Sequence, residues 1–315
     1  MCRTLLSRLT DSMIAVPGGT FAMGSENFYP EEAPVRRVSV DGFRIDAVPV
    51  TNAQFTAFVA ATGHVTFAEL PPDPRQYPGM LPELAHPGSL VFEPTPGPVP
   101  LTGGAIWWDF RIGANWRQPL GPGSSIDGLE DHPVVHIAHA DAEAYSLWAG
   151  KSLPSEAEWE WAARGGIEDA DYAWGDALAP EGAMLANYWQ GPFPHANSLE
   201  DSWLRTSPVR AFPPNGYGLY DMIGNVWEWT ADWFAQPRIE KKRGGMCCVP
   251  ANPRGGTRGG SIVKSDPIRI PRKVMKGGSH LCAESYCQRY RPAARYAQPV
   301  DTTTGHLGFR CVLRD

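Results

Sequence analysis

Apolar and polar positions alternate over short runs at the start of the chain. This period of two predicts strands at 13–16, 20–23, 35–40 and 43–45, with a turn at Pro17-Gly18-Gly19. Thr51 then caps a stretch in which Phe55, Phe58 and Val59 share one helical face, and Gly63 closes it. Further helices are predicted at 139–149 and 156–164; the second has Ser155 and Glu158 in capping-box spacing and stops at Gly165-Gly166. Beyond it the helical period fades, and short strands between aromatic turns are expected, foremost at 273–276, 289–295 and 307–313. Residues 71–100 are Pro-rich, with little periodicity and no recognisable chemistry, and a Gly/Pro-rich basic insertion spans 240–272. No repeat recurs at solenoid periods and no linker divides the chain. The pattern therefore predicts one α+β domain over residues 13–315, behind an N-terminal extension at 1–12.

Composition sharpens this picture. Gly (33) and Pro (31) make up about a fifth of the 315 residues, against ~12 % in average usage. Both interrupt helices and strands, so short elements and long ordered loops are expected. Twelve Trp suggest grooves or pockets as well as a core. The net charge is −6 and no Lys/Arg cluster is dense enough for a nucleic-acid footprint. No apolar stretch approaches the ~18 residues of a membrane span, and the apolar part of the N-terminus is too short for a secretory signal. A soluble, cytoplasmic monomer is expected. Six Cys in such a chain do not form a disulfide framework; free thiols, a metal or redox chemistry are favoured.

Cys282 and Cys287 carry the sharpest chemical signal. They lie among Ser279, Tyr286, Gln288 and Arg289, just after Gly277-Gly278. An offset of five would place them about 140° apart on a helix and on opposite faces of a strand. They converge only if the segment bends, as a disulfide, a dithiol redox pair or a two-thiolate metal site. With no adjacent His, a metal reading favours a soft, low-coordinate ion such as Cu(I) over zinc. Asp221 and Glu228, around a turn with Gly224 and Val226, offer carboxylates and carbonyls for a hard cation, or else form an aromatic turn with surface charges. Asn187, Tyr188, Asp201 and Trp203 form a weaker set of the same kind. His132, His136 and His139 need not converge, and ordinary hydrogen-bonded histidines are expected.

Several motifs together resemble the formylglycine-generating enzymes, or sulfatase-modifying factors. They are Val16-Pro17-Gly18-Gly19, Gly113-Ala114-Asn115-Trp116-Arg117, Asp131-His132-Pro133-Val134, Leu153-Pro154-Ser155-Glu156, Gly216-Tyr217-Gly218-Leu219-Tyr220, Gly224-Asn225-Val226-Trp227-Glu228-Trp229 and Leu307-Gly308-Phe309-Arg310-Cys311. The cysteine pair is the part that marks the formylglycine-generating branch; non-catalytic relatives lack it. The resemblance implies a fold that varies the C-type lectin theme. It implies oxidation by O2, with a reductant, of a cysteine in a Cys-x-Pro-x-Arg sequence of an unfolded sulfatase to Cα-formylglycine. Cys282 and Cys287 would hold Cu(I) as a near-linear dithiolate that the substrate sulfur joins. Ser279 and Tyr286 would hydrogen-bond oxygen species or water, Trp227 would wall the pocket, and Arg289 would orient the loop or the peptide.

By the same resemblance, one Ca2+ would use Asn187, the Tyr188 carbonyl, Asp201 and the Trp203 carbonyl. A second would use Asp221, the Gly224 and Val226 carbonyls, and Glu228. Ser146, Ala163 and Pro292 stand at the partner positions of disulfides found in secreted relatives, which leaves Cys311 unpaired. His306 stands where some relatives have Asn beside the substrate, either bonding the peptide or titrating near neutrality. Two other readings remain: a metal-free thiol–disulfide oxidoreductase, and a non-catalytic lectin-like binding module.

Overall fold

The computed structural model describes residues 12–102, 105–236 and 249–314. The first strand, β1 (Met13–Val16), pairs antiparallel with β4 (Phe43–Asp46), and β11 (Val312–Leu313) lies on the other side of β4. A two-stranded pair, β2 (Gly19–Met23) and β3 (Arg36–Val40), lies between them in sequence. Helix α1 (Asn52–Thr62) starts as expected: Thr51 Oγ1 accepts from the Gln54 N–H, and Gln54 Oε1 accepts from the Thr51 N–H. It ends at Gly63, whose φ of 69° is left-handed. Helices α2 (His139–Trp148) and α3 (Glu156–Arg164) also follow the pattern, and α3 has the reciprocal Ser155–Glu158 bonds.

The C-terminal half organises around a four-stranded sheet in the order β10-β7-β8-β9: β7 (Trp227–Trp233), β8 (Arg272–Lys276), β9 (Arg295–Pro299) and β10 (Leu307–Gly308). Two expectations need correction here. Residues 289–294 are not a strand; β9 begins only at Arg295. The Arg291 guanidinium turns inward to grip Glu32 at 2.9 and 2.5 Å beneath the Phe28 ring, and Ala294 N–H closes a turn on Arg291 O around Pro292. The predicted strand at 307–313 splits into β10 and β11, which join different sheets. The stretch 71–100 is ordered in part: it contains β5 (Gly88–Phe92), paired antiparallel with β6 (Trp108–Ile112). Of the insertion at 240–272, residues 240–248 lie outside the described ones, as do Cys2, Cys247 and Cys248.

The main core packs Phe55, Phe58, Tyr145, Trp116, Trp159, Trp229 and Phe309 among the helices and the first strands. A second, smaller cluster unites Phe92, Trp107, Trp189, Phe193, Leu281 and Ala283. It matters for function because Leu281 and Ala283 flank Cys282. The architecture is a single mixed domain of short helices and small sheets.

Candidate active site

The loop between β8 and β9 bends the two cysteines together. Gly277 and Gly278 take φ of 92° and 70°. A Cβ on Gly278 would sit 2.7 Å from the Arg289 carbonyl, so only glycine lets the returning chain pass this close. Cys282 N–H donates to Ser279 O at 2.9 Å, and Cys287 N–H donates to Ala283 O at 2.7 Å, a single helical turn. The loop is anchored outside itself as well. Trp189 N–H donates to Cys282 O, and His280 Nδ1 lies 2.8 Å from Asn225 O. The two Sγ atoms end 3.2 Å apart as free, buried thiols.

Their environment makes the two thiols unequal. A hydrogen bond from Cys282 stabilises the Cys287 thiolate, and the Arg289 guanidinium 3.8 Å away helps, bringing Cys287 down to about 7 against the cost of burial. Burial pushes Cys282 up, so it keeps its proton and supplies it to the shared hydrogen bond. The pair is thus one thiolate and one thiol near neutrality. Arg289 is held for this role by Glu31 at 2.7 Å and by the Tyr29 ring 3.7 Å below it.

All seven residues expected at the reaction centre line one cleft of about 450 Å³: Ser279, Cys282, Tyr286, Cys287, Arg289, Trp227 and His306. Tyr286 stacks flat on Phe193, centroids 4.5 Å apart, and burial pushes its hydroxyl up to about 12, so it stays a proton donor. Ser279 is fully buried, and its Oγ accepts from the Leu281 N–H. The expectation that His306 titrates near neutrality is not met. Burial pushes it well below the usual range, with its ring 4.8 Å from Trp108 and Nδ1 on the Thr304 hydroxyl.

Sequence reading missed much of the wall: Trp107, Trp108, Phe193, Tyr296, Gln298 and Thr304. The Trp107-Trp108 doublet, in a chain with twelve Trp, was the available signal.

The histidines at 132, 136 and 139 do not converge: they bond to Thr206, to Ser89 with Pro119 O, and to Thr230 O respectively. Among the described residues no cluster holds three or more His, Cys, Asp or Glu able to bind one metal. The two acid-and-carbonyl sets lie side by side, since Asn225 N–H donates to Asn187 O. In the first, Asn187 Oδ1 and Asp201 Oδ2 are buried with no hydrogen-bond partner. Burial pushes Asp201 up to about 6, and the Gln190 amide rests on the Tyr188 carbonyl. Two orphaned buried oxygens fit a hard cation. The second set differs. Both Glu228 oxygens already accept from Arg310 at 2.8–3.0 Å and one also from Trp159 Nε1, while Arg210 N–H and Asn225 Nδ2 donate to Asp221. A cation there would have to share Glu228 with a guanidinium.

With this geometry in view, comparison with known proteins identifies the family. The profile described as "Sulfatase-modifying factor enzyme 1-like domain" matches residues 4–315, and the chain belongs to that family. It is 52 % identical over 301 residues to the formylglycine-generating enzyme of Mycobacterium tuberculosis, covering 95 % of this chain and 97 % of that one. It is also 42 % identical over 310 residues to "Inactive C-alpha-formylglycine-generating enzyme 2" of Bos taurus, covering 96 % and 88 %. Among solved structures it is similar in fold to PvdO from Pseudomonas aeruginosa, with a TM-score of 0.63 and 21 % identity over 95 % of this chain and 93 % of that one. Among the described residues no helix is long and apolar enough to cross a membrane.

Proposed function

We propose that this chain oxidises a cysteine in a Cys-x-Pro-x-Arg sequence of an unfolded sulfatase polypeptide to Cα-formylglycine, using O2, a reductant and Cu(I) held by Cys282 and Cys287. A relative named formylglycine-generating enzyme is 52 % identical to the chain and one named inactive 42 %, in keeping with an enzyme. The observation that carries the reading is the pair of reduced thiols 3.2 Å apart in an aromatic cleft. The balance is closed: the methylene thiol of the substrate cysteine, one O2, two electrons and two protons give an aldehyde, hydrogen sulfide and water.

The donor set suits a soft, low-coordinate ion, because two sulfurs converge and no third His, Cys or carboxylate joins them among the described residues. Such an ion would supply a seat for the substrate sulfur and an electron source for O2. Cys287 offers its thiolate at neutral pH, and loading would take the proton still on Cys282. Arg289 holds the loop and its negative charge. Trp227, Trp107 and Tyr286 exclude water from the sulfurs, and the Tyr286 hydroxyl is available to donate a hydrogen bond to oxygen species.

The same reading includes one structural Ca2+ at Asn187, Tyr188, Asp201 and Trp203, supported by the orphaned oxygens of Asn187 and Asp201. It extends to a lectin-like variation of the fold, supported by the short strands and long ordered loops. A reducing compartment such as the cytoplasm agrees with Cys282, Cys287 and Cys311 all being free. Mass spectrometry of a Cys-x-Pro-x-Arg peptide, incubated with the copper-loaded protein and a thiol reductant, tests the reaction. Replacement of one sulfur by oxygen with loss of two hydrogens is expected, and full conversion by copper-stripped protein would overturn the copper reading.

A further inference from the structure

The cysteine cleft does not end at Leu90. This residue of β5 also lines a second, largely apolar groove of about 600 Å³ on its far side. Opposite β5 the two spaces run on in the same way: Gln298 and Thr304 line the cleft, while Pro299 and Thr303 line the groove. The partition is a fixed ridge, because Leu90 N–H donates to Thr303 O at 3.3 Å and Gly305 N–H donates to Leu90 O at 3.1 Å. Phe67, Leu70, Tyr77, Met80, Leu84 and Ile268 give the groove its character. Three of them stand in water, with Leu70 50 %, Leu84 39 % and Ile268 37 % exposed. Its titratable lining groups are His86, Tyr77, Asp266 and Asp301; Asp301 accepts from the Tyr77 hydroxyl, Asp266 lies 3.7 Å from Arg272, and among the described residues no Lys or Arg lines the groove to pair with an acidic ligand.

We infer that this groove holds an apolar segment of the unfolded client polypeptide that flanks the oxidised cysteine. The inference rests on the oxidase reading and extends it to substrate choice. An unfolded client presents aliphatic and aromatic side chains that its own core would otherwise cover. An extended chain advances about 3.3–3.6 Å per residue, so residues several positions from the reacting cysteine reach beyond Leu90. Continuity with the cleft distinguishes this occupant from a second copy of the chain, which would have no reason to meet the groove at the cysteines.

Three fluorescent peptides test it: a Cys-x-Pro-x-Arg core alone, the core with six-residue Leu/Phe-containing flanks, and the core with Asp/Glu flanks. Binding is read by anisotropy on versions in which Ser replaces the peptide cysteine, and turnover by KM and kcat on the cysteine versions. The apolar flanks should bind about tenfold tighter than the core, and lower KM with kcat unchanged, a difference of ~1.4 kcal/mol. Leu84→Asp and Ile268→Asp should remove that gain and leave the core peptide's constants as they were. The acidic flanks should give no gain. Equal affinity for core and apolar-flanked peptides, or an equal loss for both in the variants, overturns the inference. So does a dimer of this chain that the same substitutions dissociate. Length-dependent binding without conversion of any peptide would sink the oxidase reading while the groove stands.

Discussion

Trp227 and Glu228 are neighbours on β7, yet they serve two opposite kinds of site. Successive side chains on a strand face opposite ways: Trp227 lines the cysteine cleft, and Glu228 is buried against Arg310. Every oxygen of Glu228 has a partner, and Arg310 also donates to the carbonyls of Tyr220 and Asp221. The cysteine loop, by contrast, ends in a thiolate shared between one thiol and a guanidinium 3.8 Å away. A saturated centre fixes the strands in place, whereas an unsaturated one retains the capacity to bind. Completeness of partners, more than charge or burial, separates scaffold from site in this protein.

The strongest way to break that distinction is to remove one group from each side. Cys287→Ser and Cys282→Ser should reduce conversion of the peptide to background and move Tm by no more than ~2 °C, since serine keeps the loop's backbone bonds. Glu228→Gln leaves Arg310 buried with no anionic partner, one accepting oxygen and an amide NH2 that opposes its donors. It should cost about 3–5 kcal/mol and lower Tm by roughly 10 °C. Peptide mass spectrometry and thermal denaturation on the same samples read both effects. A Glu228→Gln protein that melts normally but fails to turn over would move Glu228 into the site.

The two centres were not equally visible in the sequence. Cys282 and Cys287 are five residues apart, and their glycine hinge is adjacent, so convergence could be argued from local spacing. Thr51, Ser155 and Gly63 gave up their helix ends for the same reason. Glu228 looked like a surface or cation-binding carboxylate because its partner, Arg310, is 82 residues away. Strand β7 was missed with it although Trp227-Glu228-Trp229-Thr230-Ala231-Asp232-Trp233 alternates apolar and polar positions; its polar face, Glu228, Thr230 and Asp232, is buried, so the carboxylates look like exposed turn charges until their partners are seen. The cleft walls at Trp107, Phe193 and Tyr296 come from three distant segments and could be assembled only in three dimensions. Arg291 shows the opposite error: an alternating stretch read as strand is bent by one buried ion pair with Glu32.

Among the carboxylate sets the same contrast predicts a smaller effect. The orphaned oxygens of Asn187 and Asp201 should respond to Ca2+, and the saturated Glu228 should not. At a hundredfold excess over Kd, binding would stabilise the fold by about 2.7 kcal/mol, seen as a Tm difference between Ca2+ and EGTA that Asp201→Asn abolishes. Asp201, raised to about 6 by burial, also sets a pH trend. Its folded form holds the proton more tightly than the unfolded chain does. The chelated protein should therefore lose stability as pH rises from about 4 through about 6, and Ca2+ should flatten that slope. An unchanged slope would remove Asp201 from the site.

The finest test asks what holds the thiolate. Cys287 sits near 7 first through the hydrogen bond from Cys282 and then through Arg289. A group whose acidity is raised is charged above its midpoint, so alkylation of Cys287 in copper-free protein should rise through pH 7 and level off beyond it. Arg289→Gln removes the second cause and keeps the first. The midpoint should move up by less than the full distance to an ordinary thiol at ~8.5, slowing alkylation several-fold at pH 7 and leaving it unchanged above pH 9. Cys282→Ala removes the larger cause and should move the midpoint further. If Arg289→Gln left the profile in place, the guanidinium would be only a tether between the loop, Glu31 and Tyr29. The incompleteness of the site would then reside in the two sulfurs alone.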